Sequence, residues 1–210
     1  VDSCKGDLHC FGVVFDQWFS EKSLFVDGSV ENTIQKLESA GYVESRDGAK
    51  WFKSTIFGDD KDRVLKKSNG EYTYFASDIA YHHDKFKRGY GRVVNIWGAD
   101  HHGYIPRMQA ALKGLGHKDS NLEILLIQFV SLFRATKKIS MSTRSGEFVS
   151  LKDLISEVGI DAARYFYSLR KSDQHLDFDL SLAKARNNEN PVYYVQYAHA
   201  RCANILIKWS

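Results

Sequence analysis

The chain has 210 residues and a net charge of +3, with 29 lysines and arginines against 26 aspartates and glutamates. That length suits one or two domains with a sizeable core, and the composition is globular, neither disordered nor fibrous. No apolar run approaches the roughly 20 residues that span a bilayer, and Val1-Asp2-Ser3-Cys4-Lys5 has no basic-then-apolar leader pattern. The slight positive charge permits a polyanionic partner without requiring one. Three widely separated cysteines form no disulfide framework and point to a reducing compartment. The spacing of Cys4, His9 and Cys10 fits no common zinc pattern, so no structural metal is expected.

In chain order, residues 29–41 read as a helix with Ser29 as N-cap and Gly41 just past its end. Asp47-Gly48 and Asn69-Gly70 supply the positive φ angles of tight turns and predict two hairpins. The first pairs Tyr42-Val43-Glu44 with Ala49-Lys50-Trp51-Phe52; the second pairs Val64-Leu65-Lys66-Lys67 with Glu71-Tyr72-Thr73-Tyr74. Residues 77–88 read as a helix capped by Ser77. A strand over 93–97 leads to a helix over 106–115, with Pro106 in the first turn, where its missing N–H costs nothing. Residues 122–133 fit a buried strand or a buried helix; their β-branched and aromatic flanks favour a strand. Residues 137–150 are basic and hydroxyl-rich and read as a loop. Ser150, with Asp153 in capping-box position, opens the next helix, and Asp161 opens another after Gly159. Residues 187–190 form a polar joint before a final helix at Asn190-Pro191. This gives segments 1–136, 137–186 and 187–210. Val1 in place of an initiator methionine, and a helical pattern with no stop signal up to Ser210, predict a fragment of a longer chain.

Residues 96–104, Ile96-Trp97-Gly98-Ala99-Asp100-His101-His102-Gly103-Tyr104, are the most informative stretch. An apolar strand ends there in a polar turn ahead of a helix, the place where open parallel sheets bind ligands. A solvated loop with capping residues is the plainer reading. Tyr74 and Asp78 read either as a charge-complementary helix start or as a pocket, since a carboxylate grips a guanidinium through two parallel hydrogen bonds. Residues 137–146 lack P-loop spacing; Lys137, Lys138 and Arg144 could screen a polyphosphate or form a solvated basic turn. His82 and His83, about 100° apart on a helix, are poorly placed to share one ligand and read as core or surface histidines. Tyr193, Tyr194, Tyr197, His199 and Arg201 form a stripe at helical spacing that reads as core, with polar edges able to meet RNA.

Six stretches in order carry a resemblance: Asp59-Asp60-Lys61-Asp62-Arg63-Val64-Leu65, Thr73 to His82, Trp97 to Tyr104, Met141-Ser142-Thr143-Arg144, Gln174-His175-Leu176-Asp177-Phe178-Asp179, and Asn188 to Arg201. Together they resemble the arginyl-tRNA synthetases, a family of class I aminoacyl-tRNA synthetases. The resemblance implies an α/β fold: the C-terminal half of a Rossmann-type catalytic core running into the first helix of an α-helical anticodon-binding domain. It implies L-arginine, ATP with Mg2+, and tRNA(Arg) as partners, no membrane or DNA partner, and a cytoplasmic place in protein synthesis. By motif position, Tyr74, Asp78 and His101 would bind arginine, with Asp78 facing the guanidinium. Gly98 and Asp100 would contact the adenosine. Ser140, Met141, Ser142, Thr143 and Arg144 match the KMSKS loop that stabilises the ATP phosphates. Ser140 and Thr143 stand where the general class I pattern has lysines, a gap that Lys138 could fill. The HIGH signature, His-x-Gly-His, does not occur in these 210 residues. On this reading the chain alone is expected to be inactive, because the histidines that stabilise the pentavalent phosphate belong upstream. The alternatives are a catalytically dead tRNA- or protein-binding paralogue and another nucleotidyl-transferring α/β enzyme.

Overall fold

The computed structural model describes residues 1–118, 121–139 and 148–209. Two units divide the chain: Gln17–Ile127, and Val1–Asp16 with Gln128–Ser210. Helix α1 (Asp2–Cys10) lies in the second of these. The Gln17–Ile127 unit then holds α2 (Glu21–Val26), α3 (Ser29–Ser39), β1 (Val43–Arg46), β2 (Ala49–Phe52), a 3₁₀ turn (Ser54–Phe57), β3 (Arg63–Lys66), α4 (Tyr74–Lys87), β4 (Val93–Gly98), a 3₁₀ segment (Ala99–Tyr104), α5 (Ile105–Gly114) and β5 (Leu122–Ile127).

α3 buries Val30, Thr33, Ile34 and Leu37, the spacing of a helix with one face in the core. Its N-cap is Gly28, one residue before the expected Ser29, and the Asp27 carboxylate accepts the Ser29 N–H at 2.8 Å in the capping role. The helix stops at Gly41 as expected: the Gly41 N–H bonds Glu38 O and the Tyr42 N–H bonds Leu37 O, both at 2.9 Å, the paired pattern of a left-handed C-terminal cap. The Asp47-Gly48 hairpin forms, with φ of 49° and 75° and Arg46 opposite Ala49.

The second predicted hairpin is reduced to one bridge, Lys66 to Tyr72. Thr73 ends the pairing: its N–H bonds Leu65 O at 2.9 Å and its Oγ1 donates to Val64 O at 2.8 Å. α4 therefore begins at Tyr74 with Thr73 as N-cap, three residues before the expected start. Ser77, the expected cap, is buried inside the helix, its hydroxyl shared between Glu21 Oε1 at 2.5 Å and Tyr74 O at 2.9 Å.

β4 and β5 pair in parallel from Val93–Leu122 to Gly98–Ile127, with α5 in the crossover between them. This is the βαβ unit of a Rossmann-type sheet. α5 packs close: a Cβ on Gly114 would lie 3.0 Å from Leu37 and 3.2 Å from Phe52, so the core leaves no room for a side chain there. Leu24, Ile34, Leu37, Phe52, Leu65, Ile79 and Met108 are the large, fully buried apolar residues of this unit.

The other unit continues with β6 (Val130–Arg134), β7 (Lys137–Lys138), α6 (Leu151–Val158), α7 (Ile160–Ser168), β8 (Leu176–Asp179), α8 (Leu180–Lys184) and α9 (Pro191–Trp209). Its sheet order is β7-β6-β8, with β6–β8 parallel and β6–β7 antiparallel. The run 122–133 is strand, but two strands of different sheets. They separate at Gln128, whose N–H bonds Ser172 O at 3.0 Å. Lys137 and Lys138, expected in a loop, form β7. The Ser150–Asp153 capping box is present. Phe166 and Phe178 stack at 4.9 Å in the core. Asn190 is buried at the polar joint; its side chain donates to Ala183 O and Ala185 O and accepts the Val192 N–H, starting α9 as expected.

Candidate active site

Because α4 starts early, Tyr74 and Asp78 stand four residues apart on one face of one helix, not across a strand-to-helix junction. Tyr74 is 86% exposed. Asp78 is partly buried, and its Oδ2 accepts the Tyr104 hydroxyl at 2.5 Å. That bond ties the 3₁₀ segment after β4 to α4. Burial raises the Asp78 carboxyl above the ordinary aspartate range; the Tyr104 hydrogen bond opposes this, Glu21 adds to the rise, and Lys85 and His101 draw it down. Burial, then the carboxylate beside it, pushes the Tyr104 hydroxyl well up. Among the described residues Asp78 makes no ion pair with a lysine or arginine.

A cleft of about 470 Å³ lies along the start of α4, lined by Glu21, Phe25, Tyr72, Tyr74 and Ser77 among others. Glu21 lines this cleft beside Lys22 and Lys67, while Asp78 is not among its lining residues; the Glu21 charge nevertheless reaches Asp78. Nothing in the sequence singles out Glu21. It sits on a six-residue helix whose only buried residue is Leu24, which gives no periodic signal. Tyr104, which closes the motif that holds Gly98, Asp100 and His101, is not among the residues the motifs assign to the site.

Gly98 ends β4. A Cβ there would stand 2.5 Å from Asp100 Oδ1, so glycine is what lets the Asp100 side chain fold back against the strand end. Asp100 and His101 are exposed, with His101 Nε2 3.7 Å from Asp100 Oδ2, a pairing that water largely screens. Behind them, His82 ties α4 to β4. Its Nδ1–H donates to Asp78 O at 2.7 Å, its Nε2 accepts from Asn95 Nδ2 at 2.6 Å, and Asn95 Oδ1 accepts from Lys85 Nζ at 3.0 Å. Burial, helped by Lys85, pushes the His82 imidazole down to about 4, so it stays neutral in this donor–acceptor role. Burial and then Arg88 bring the Lys85 ammonium down to about 8. His83 points elsewhere, to His117 Nε2 at 2.9 Å and Lys36 Nζ at 3.2 Å. The two histidines are core residues with separate partners, as their angular spacing predicted.

Lys138 is exposed on β7 in the other unit. Ser140, Met141, Ser142, Thr143 and Arg144 lie outside the described residues. A larger cleft, about 920 Å³, is lined by Glu157, Asp161, Lys184, Arg186, Tyr193 and Gln196 among others and holds none of the expected arginine- or ATP-binding residues.

The sequence profile of tRNA synthetases class I (R), catalytic domain, matches residues 12–197. The chain belongs to this family, the arginine type of class I synthetase. It is 62% identical over 205 residues to the arginine–tRNA ligase of Aromatoleum aromaticum, covering 98% of the chain and 35% of that protein. It is 60% identical over 209 residues to that of Nitrosospira multiformis, covering 100% of the chain and 36% of the relative. The chain therefore spans about a third of the length of these relatives. Among solved structures, a Campylobacter jejuni protein assigned as an arginyl-tRNA synthetase matches with a TM-score of 0.89 and 42% identity, over 97% of this chain and 44% of that one. The Thermus thermophilus arginyl-tRNA synthetase, 19% identical, shares the fold with a TM-score of 0.75 over 98% of this chain and 44% of its own. The α/β architecture expected from sequence is thus that of the class I synthetase catalytic domain.

Proposed function

We propose that this synthetase chain forms the arginine-recognising part of an arginine–tRNA ligase, which activates L-arginine with ATP and passes the arginyl group to the terminal adenosine of tRNA(Arg). The observation that carries the reading is the Asp78 carboxylate, partly buried, held by the Tyr104 hydroxyl and without an ion-pair partner among the described residues. A guanidinium offers paired N–H donors in a plane that a carboxylate meets with two hydrogen bonds. Tyr74, one helical turn away, offers a ring face for the cation and a hydroxyl. Glu21 adds a second negative charge, and His101, whose charge is felt at Asp78, is read as a neighbour of the amino-acid substrate.

Gly98, the last residue of β4, and Asp100, just beyond it, receive the adenosine, the position at which open parallel sheets take nucleotides. Met141, Ser142, Thr143 and Arg144 act on the phosphates as charge shifts in the transition state, with Lys138 supplying an ammonium in place of the lysines absent at Ser140 and Thr143. Mg2+ enters on the ATP phosphates, its usual manner of binding in such sites. α9, from Pro191, begins the α-helical anticodon-binding domain after segments 1–136 and 137–186. No described helix is long and apolar enough to cross a membrane.

Amino-acid-dependent ATP–pyrophosphate exchange by the full-length protein, with and without tRNA, tests this reading. Exchange that depends on arginine and on no other amino acid supports it. Absence of exchange with every amino acid overturns it in favour of a tRNA- or protein-binding paralogue.

A further inference from the structure

Tyr104 is held from three sides. Its ring meets Phe75 of α4 edge-on at 6.0 Å and Trp97 of β4 at 5.7 Å, and the Arg107 guanidinium of α5 lies over it at 4.8 Å. The hydroxyl is therefore placed by packing and not by a flexible stem, and it reaches Asp78 Oδ2 at 2.5 Å.

We propose that Tyr104 is a positioning residue for the amino-acid substrate, fixing the plane of the Asp78 carboxylate so that Oδ1 and the remaining lone pair of Oδ2 meet the guanidinium. This rests on the reading of Asp78 as the guanidinium partner. A carboxylate has about four acceptor sites, so one bond from Tyr104 leaves room for a bidentate partner. Without that bond the carboxylate can turn about its last torsion, and ordering it becomes a cost of binding. Tyr104 also bears on charge. Asp78 faces Glu21 of α2, Lys85 of α4, and His101 of the 3₁₀ segment, while Arg63 of β3 and Arg107 of α5 face the Tyr104 hydroxyl. Burial and Glu21 favour the protonated carboxyl, which cannot pair with a guanidinium; the Tyr104 hydrogen bond favours the carboxylate. Removing the hydroxyl therefore moves the acid limit of arginine recognition to higher pH.

The test is ATP–pyrophosphate exchange by the full-length protein from about pH 5.5 to about pH 9, comparing wild type, Tyr104→Phe, Asp78→Asn and the double variant. Phenylalanine keeps the ring contacts, so the fold is retained and the hydroxyl alone is removed. In Tyr104→Phe the KM for arginine rises about tenfold, the usual loss for a hydrogen bond to a charged acceptor, with kcat and the KM for ATP changed by less than about twofold. The acid limb of kcat/KM for arginine moves to higher pH, and the double variant loses no more than Asp78→Asn, because both changes act on one interaction. Wild-type arginine kinetics and pH profile in Tyr104→Phe, beside a strong loss in Asp78→Asn, overturn the role of Tyr104 alone. So does a loss in Tyr104→Phe that falls equally on kcat and on ATP with the acid limb unmoved, which marks a purely structural residue. Wild-type arginine kinetics in Asp78→Asn overturn the pocket itself.

Discussion

Arg63 grips Asp59 with two hydrogen bonds, Nε to Oδ2 at 2.7 Å and Nη2 to Oδ1 at 2.8 Å, and the Asp59 side chain is 1% exposed. Burial alone would raise the Asp59 carboxyl, but the Arg63 and Asp60 hydrogen bonds win and hold it far below the ordinary range. The pair belongs to the first of the recognised motifs and joins the segment just after the 3₁₀ turn to β3. Losing hydrogen bonds between charged groups costs about 1.5–3 kcal/mol, and Arg63 keeps a second carboxylate in Asp60, so its charge is not stranded. Asp59→Ala is therefore expected to lower unfolding stability by about that amount in urea titration. A change of under about 0.5 kcal/mol, typical of a surface site, contradicts the assignment.

Stability is expected to fall as pH drops from about 6.5 to about 4. Burial holds His82 and His83 down at about 4 from a starting value of 6.5. Between those values the unfolded chain binds protons that the folded chain refuses, so acid favours unfolding. Asp59, depressed, extends the loss to still lower pH. Asp78, raised, works in the opposite sense over its own range. Urea midpoints followed by tryptophan fluorescence test this, since the Trp97 ring lies 6.4 Å from that of His82. The midpoint falls between pH 6.5 and pH 4 in the wild type and less steeply in His82→Gln. A flat wild-type profile contradicts the prediction.

Local chemistry was legible where a residue answers its neighbours. Asp47-Gly48 is a turn because both residues accept positive φ, and Ser150 with Asp153 is a cap because the partners lie three residues apart. Prediction failed where a distant residue takes over a local signal. Ser77 has the chemistry of an N-cap, but its hydroxyl is claimed by Glu21, 56 positions earlier. The 122–133 run carries strand character throughout, and only tertiary pairing decides that Leu122–Ile127 joins β4 while Val130–Arg134 joins β8. At the site, the motifs named Tyr74, Asp78, Gly98, Asp100 and His101. The geometry brings Glu21 and Tyr104 to Ser77 and Asp78 of α4, partners 56 and 26 positions away.

Gly98→Ala is expected to weaken ATP use and spare arginine. The new Cβ would stand 2.5 Å from Asp100 Oδ1, closer than real contacts, so the Asp100 side chain must swing away from the strand end. A rise of about tenfold in the KM for ATP in pyrophosphate exchange, the size of one lost hydrogen bond, is the expected outcome. An unchanged KM for ATP places the nucleotide elsewhere.

Arg144→Ala tests the loop assignment made from sequence. If the loop acts on phosphates in the transition state, its loss lowers kcat more than it weakens ground-state ATP binding. A fall of roughly tenfold to a thousandfold in adenylate formation is expected, with Lys138→Ala costing less unless it stands in for the lysine absent at Thr143. No change in either constant returns residues 137–146 to a solvated basic turn.

Asp78 is proposed to read the guanidinium. The KM for arginine of the full-length Asp78→Ala variant, set beside its KM for ATP, tests that most directly. Loss of a charge-assisted, paired contact of about 1.5–3 kcal/mol predicts a rise of roughly tenfold to more than a hundredfold for arginine, with the KM for ATP little changed. Unchanged arginine kinetics would contradict the claim and leave Asp78 as no more than an acceptor for Tyr104.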